Sequence, residues 1–183
     1  MILYVNCCVR QGSRTDELAR EVLSRLGGDY EEVKLCEEKL LPLTRERLDR
    51  RTRLLEEKAY DDPMFSYARQ FAAADIIVIS APFWDLSFPA ELKLYVENIY
   101  AAGIVSEYDG QGRPKGLCRA RMLYYVTTAG GPYVAEYSYD YFRELAKVYF
   151  GIKDTRLIMA ELLDIVGNDP TAILAQAKEE IKL

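Results

Sequence analysis

Short apolar runs recur along the chain, separated by longer stretches in which apolar residues return at helical spacing. Residues 2–5, 76–79, 122–126 and 157–160 are continuous apolar runs rich in β-branched and aromatic side chains. Runs of this length fit strands covered on both faces. Residues 30–35 are more polar and alternate loosely, as an edge strand would. Between the runs, residues 13–26 place Leu18, Val22, Leu23 and Leu26 on one helix face, and Gly27-Gly28 stops the pattern. Residues 44–58 and 63–74 read as a charged helix and a second short one. Pro89 suits a helix start, and Leu92, Val96 and Ile99 recur until Gly103. Residues 138–149 carry Tyr141, Phe142, Leu145 and Val148 at helical spacing, and Asn168-Asp169-Pro170 is a cap-and-proline start for the last helix.

Five strands alternating with helices predict an α/β domain built on a parallel sheet. The polar second strand belongs at an edge, which gives the strand order 2-1-3-4-5. Residues 104–120, with Asp109-Gly110-Gln111-Gly112-Arg113-Pro114, predict an excursion or hairpin before the fourth strand. No repeat or linker breaks the chain, so residues 1–183 read as one domain.

Composition narrows the chemistry. Half the residues are hydrophobic, enough for a sizeable core. No apolar run approaches the roughly 18–20 residues of a membrane span, and the N-terminal stretch lacks a basic region and a cleavage site, so no leader is expected. A formal charge of -5 argues against a nucleic-acid backbone as partner. The 44–58 run, with six basic and four acidic residues, reads as a solvated helix face. Histidine is absent, which excludes Ser-His, Cys-His and His-metal mechanisms within one chain. The four cysteines, Cys7, Cys8, Cys36 and Cys118, form no C-x-x-C pair, so neither a zinc ribbon nor a thioredoxin site is encoded, and no metal is expected. They read as reduced thiols of a cytoplasmic protein, Cys7 and Cys8 as small buried side chains rather than redox thiols. If the chain is an enzyme, something other than its side chains performs the hard chemistry.

In a sheet of this order, ligands bind beyond the carboxyl ends of the strands. Three loops lie there. The first, 6–15, lacks both a dinucleotide glycine fingerprint and a P-loop. It offers the hydroxyls of Ser13 and Thr15, the arginines Arg10 and Arg14, and a helix N-terminus, a set that suits one terminal phosphate. Ser13-x-x-Asp16 also reads as an ordinary capping box, and the two roles are compatible. The second loop, 80–88, holds the only Trp, with Pro82, Phe83, Trp84, Asp85, Leu86 and Phe88. An aromatic loop stiffened by proline suits a flat apolar ligand or a partner, or packs as satellite core. The third, Thr127-Thr128-Ala129-Gly130-Gly131-Pro132-Tyr133, lets backbone approach a ligand, or is a plain turn.

The ordered combination from Ile76 to Gly131 resembles the flavodoxin-like FMN enzymes that include NAD(P)H:quinone oxidoreductases and FMN-dependent azoreductases. It runs as a buried strand, Ala81-Pro82, two large residues, Asp85, Leu86, then Pro89-x-x-Leu92-Lys93. After these come Ala102-Gly103, an aromatic-bearing hairpin, Lys115-Gly116-Leu117, a strand and Thr128-x-Gly130-Gly131. The resemblance implies a flavodoxin-like three-layer sandwich. It assigns Ser13, Arg14 and Thr15 to the FMN phosphate, Pro82, Phe83, Trp84, Asp85 and Leu86 to the isoalloxazine, and Thr128, Ala129, Gly130 and Gly131 to the pyrimidine end. The family more often has Asn where Asp85 stands and Met-Tyr where Phe83-Trp84 stands, and commonly a Ser before its Gly-Gly.

By the same resemblance the protein passes electrons from NADH or NADPH through bound FMN to a quinone or other flat acceptor, with azo compounds as a further class. It implies a homodimer with the flavin at the interface and no catalytic side chain of its own. The rival readings are a flavodoxin-type electron carrier and a flavin-free interaction module on the same fold.

Overall fold

The computed structural model describes residues 1–183. Five strands form one parallel sheet: β1 (Ile2–Asn6), β2 (Tyr30–Lys34), β3 (Ile76–Ser80), β6 (Met122–Thr128) and β7 (Asp154–Ala160). Their spatial order is β2-β1-β3-β6-β7, which counted over these five strands alone is the expected 2-1-3-4-5. The predicted excursion is a separate antiparallel hairpin, β4 (Ser106–Tyr108) with β5 (Pro114–Gly116).

Alternation along the strands divides the apolar residues between the two faces. One core holds Leu3, Val5, Ile77, Ile79, Leu123 and Tyr125, covered by α3 (Ser66–Ala73), α4 (Ala90–Ile99) and α5 (Tyr139–Glu144). The other holds Ile2, Tyr4, Val78, Tyr124 and Val126, covered by α1 (Arg14–Leu26) and α6 (Pro170–Glu179). Helix α1 buries Leu18, Ala19, Val22 and Leu23, and each of the larger side chains stabilises the fold by about 1.5–3 kcal/mol. Helix α2 (Arg45–Glu56), capped by Thr44, buries only Leu54. No helix is long and apolar enough to cross a membrane.

Two elements differ from the sequence pattern. Strand β7 starts at Asp154, three residues before the apolar run. It is the sheet edge, where Asp154 is exposed and Thr155 and Arg156 only half-buried, so polar side chains fit. The helix expected over 138–149 is α-helical only to Glu144 and then widens into a π-helical turn, Leu145–Phe150, closed by Gly151 at φ 78°. The backbone of β5 presses against that end: a Cβ on Gly116 would lie 2.0 Å from the Gly151 nitrogen. The Phe150 carbonyl, at the end of this turn and without an intrahelical partner, accepts from the Cys118 amide at 3.2 Å.

Candidate functional site

The carboxyl ends of β1, β3 and β6 open into one cavity of about 430 Å³. Its first wall is the loop after β1. Asn6 shapes that loop by accepting from the Cys8 amide at 2.8 Å, and Gly12, at φ 66°, turns the chain into α1. Ser13 caps the helix, its Oγ accepting from the Asp16 amide at 3.4 Å. The expected capping box is half formed. The Asp16 carboxylate turns inward instead, accepting from Tyr4 Oη at 2.6 Å, Asn6 Nδ2 at 3.0 Å and Arg20 Nε at 2.9 Å. Burial, together with the bond to Asp16, pushes the Tyr4 hydroxyl far above the ordinary tyrosine range, so it stays protonated and holds Asp16 in place. The Asp16 carboxylate therefore does not reach back to the Ser13 amide, and the Arg14 and Thr15 amides open the helix beside the cavity, with the positive end of the helix dipole behind them.

Thr15 is fully buried, and its Oγ1 lies 2.6 Å from Thr128 Oγ1 at the end of β6. Two hydroxyls share two protons. One serves their mutual bond, and the other remains to donate to a ligand. Arg14 lines the same end of the cavity, with Arg10 on the loop before it. Amides, hydroxyls and two guanidinium groups form a donor-rich pocket suited to a phosphate.

The opposite wall is aromatic. Pairing between the chain after β3 and the end of β6 continues past Ser80, since the Phe83 amide donates to the Thr128 carbonyl at 3.0 Å. Pro82 is buried; the Phe83 ring packs edge-on against Tyr133, centroids 4.9 Å apart; Trp84 is more exposed, with the Arg10 guanidinium 6.0 Å from its ring centre. The loop then reverses in two residues: Trp84 and Ser87 exchange both backbone bonds, at 2.9 and 2.8 Å. Asp85 and Leu86 form the tip at φ 50° and 65°, the left-handed region. A two-residue reversal of this kind needs positive φ at both central positions, which Asn-Gly meets far more readily than Asp-Leu. Ser87 Oγ ties the tip to the short helical turn Ala135–Tyr137, which follows the third loop, by donating to the Tyr137 carbonyl at 2.8 Å.

Of the residues expected at the site, Ser13, Arg14, Thr15, Pro82, Phe83, Trp84, Thr128, Ala129 and Gly130 line this one cavity. Asp85 and Leu86 instead face an open depression of about 560 Å³ on the other flank of the turn, with Phe88, Tyr137 and Tyr141. Gly131 sits behind the lining, its carbonyl accepting from the Leu162 amide at 3.1 Å. Two lining residues were outside the expected set of loops: Leu163 and Asp164, from the loop after β7. The rule that ligands sit at strand carboxyl ends applies equally to the fifth strand, so that position was the available signal.

The residues present fit a phosphorylated flat ring. The polar end offers donors without a second anion-binding glycine loop, the aromatic wall lies alongside, and a cavity of this size is in the range of small-molecule sites.

Fold and cleft together define a doubly wound α/β protein whose main cleft lies at its topological switch point. A family model described as flavodoxin-like fold matches residues 1–183. A relative from Lachnoclostridium phytofermentans named FMN-dependent NADH:quinone oxidoreductase is 31% identical over 100% of this chain and 96% of its own. The chain belongs to the flavodoxin-like family. A second relative, FMN-dependent NADH:quinone oxidoreductase 2 of Clostridium acetobutylicum, is 40% identical over 67% of this chain and 63% of its own. A third, from Clostridium beijerinckii, is 41% identical over 69% and 64%. The chain thus aligns with a little under two thirds of the length of these last two. Among solved structures, an azoreductase from Bacillus anthracis str. Sterne superposes with a TM-score of 0.83 at 22% identity, covering 98% of this chain and 95% of that one. An FMN-dependent NADH-azoreductase from Bacillus anthracis str. Ames Ancestor, in complex with FMN, gives 0.80 at 22% identity, over 98% and 94%. At that identity these two likenesses concern the fold.

Proposed function

We propose that the chain is an FMN-dependent oxidoreductase that passes electrons from NADH to a quinone or a similarly flat acceptor. The observation that carries this reading is the joining, in one cavity, of the donor-rich N-terminus of α1 to the aromatic wall of Phe83 and Trp84. The names of the relatives and neighbours support it. FMN, when bound, supplies the capacity to accept hydride from a nicotinamide and to pass reducing equivalents onward.

The chain's own residues bind, orient and exclude water. The α1 amides, Ser13, the spare proton of the Thr15–Thr128 pair, and Arg14 hold the phosphate. Ala129 and Gly130 offer backbone at the cavity floor. Pro82, Phe83 and Trp84 flank the ring, and Asp85, Leu86 and Gly131 complete the surrounding turns. The only titratable side chains in the lining are Arg10, Arg14 and Asp164. Asp164 is the only carboxylate, and it stands at the phosphate end, so no side chain is placed for acid or base work at the ring. We further infer a single domain, a homodimer and a cytoplasmic setting. NADPH is the alternative donor, and azo compounds are a second acceptor class.

The experiment is the visible spectrum of the purified protein, followed by steady-state oxidation of NADH or NADPH with menadione or an azo dye. The reading expects a yellow protein, or one that binds added FMN, with turnover on menadione. A colourless protein that fails to bind FMN would overturn it. Bound FMN without turnover on any acceptor would leave an electron carrier.

A further inference from the structure

The rim of the cavity holds a charge that the phosphate reading does not use. Asp164 Oδ1 accepts from Arg14 Nη1 at 2.9 Å, and both residues line the phosphate end. The carboxylate is fixed there by backbone. Three successive amides of its loop donate to the third loop: Leu162 to Gly131 at 3.1 Å, Leu163 to Ala129 at 3.2 Å and Asp164 to Gly130 at 2.9 Å. The side chain then folds back over Gly130, so closely that a Cβ on that glycine would meet Asp164 Oδ2 at 2.3 Å. A negative group is thereby stitched to the mouth of a pocket whose other groups favour an anion.

We propose that Asp164 is a specificity-determining residue that tunes how strongly the cavity recognises phosphate, by competing for Arg14 and by repelling the incoming dianion. This rests on the FMN reading. Arg14 reaches the phosphate only by leaving, or sharing itself with, a carboxylate, so recognition of the ring and ribityl chain contributes a larger share of affinity than the donor count implies. The cofactor is held less tightly than the same pocket would hold it with a neutral rim.

The test measures the affinities of the flavin-stripped protein for FMN and for riboflavin, which differ only in the phosphate. Asp164→Asn is close to isosteric and its side chain is 70% exposed, so folding should be unaffected. Asp164→Ser provides a second variant. Both should tighten FMN by about three- to tenfold and leave riboflavin unchanged. They should also make FMN binding more sensitive to salt between about 0.03 and 0.3 M, since less of the pocket's positive charge is neutralised internally. Arg14→Gln should weaken FMN more in the Asp164→Asn background than in the native one. A ratio of FMN to riboflavin affinity unchanged in both Asp164 variants would overturn the proposal. So would weaker FMN binding, which would make Asp164 a positioning residue for Arg14, and so would equal losses from Arg14→Gln in the two backgrounds. If the native protein binds neither flavin, the proposed function itself fails, an outcome distinct from any of these.

Discussion

The Thr15–Thr128 bond ties α1 to the end of β6 and forms the floor of the phosphate end. Both residues are buried, so water reaches the pair only from the cavity side. Thr15→Val keeps the shape but leaves the Thr128 hydroxyl without its partner, which should cost about 1–3 kcal/mol. Thr15→Val with Thr128→Val removes both polar groups and should cost less than the sum of the two single changes. Urea denaturation of the four proteins without flavin decides it, and strict additivity would mean that the two hydroxyls find other partners. Both threonines were legible in the sequence as candidate site residues. Their pairing was not, because the contact joins positions 113 residues apart. Asp164 was missed for a similar reason: nothing local to the 161–169 stretch distinguishes a rim carboxylate from a surface one.

At the scale of elements, the turn at Trp84–Ser87 is the strained piece. Leu86 is 58% exposed and stands at φ 65°, a conformation that costs a non-glycine residue of order 1–3 kcal/mol. Leu86→Gly removes that strain and gives back about 0.4–1 kcal/mol through the freer unfolded chain. The variant should therefore be more stable by about 0.5–2 kcal/mol, read as a higher melting temperature of the flavin-free chain at a dilution where both proteins are monomeric. A lower melting temperature would mean that the Leu86 side chain contributes more by packing than the backbone costs. Another element is held by charge. Asp62 caps the short helix Pro63–Phe65 through the Met64 amide at 2.9 Å and receives Arg50 of α2 at 2.8 and 3.0 Å. The Met64 amide, and after it Arg50, hold the Asp62 carboxyl below the usual carboxylate range. A depressed carboxyl stabilises the fold above its unfolded value, about pH 4, and loses that contribution as pH falls through its native value. Asp62→Asn should thus be less stable than the native protein at pH 7, with the gap closing toward pH 2. Urea midpoints measured across that range would show a constant gap if the effect came from geometry and not from charge.

For the whole molecule, a few of the exposed apolar residues lie beside the proposed ring site, among them Leu86 and Tyr137. Leu86 and Tyr137, 58% and 59% exposed, lie with Phe88 and Tyr141 in the open depression beside the turn. Burying such a surface against a second copy would cover the ring-binding side of the cavity, which is the physical basis for the homodimer proposed above. Light scattering at micromolar concentration should give twice the mass of the 21.0 kDa chain, and Leu86→Gly should shift the protein toward monomer. A fully active monomer would remove the dimer and leave the flavin reading intact.

Period and punctuation in the sequence determined the five-stranded parallel sheet, its polar edge at β2, the helices between strands and the hairpin before β6. Burial on both faces leaves no choice but continuous apolar runs, and such runs are visible locally. The same local signals marked three of the loops that form the cavity, because helix starts, stiff aromatic loops and Gly-Gly pairs carry their chemistry in neighbouring residues. Only the tertiary structure decided how that chemistry is apportioned. It turned Asp16 inward onto Tyr4 and Asn6, and so left the capping box half made. It set Asp85 and Leu86 on the far flank of their own turn, since two residues at positive φ reverse the chain and carry their side chains out of the cavity. It opened the end of the 138–149 helix where the backbone of Gly116 presses on it, and it brought Asp164 across Gly130 to Arg14. Each of these depends on a contact between distant segments, whose energy exists only once the sheet has fixed the loops side by side.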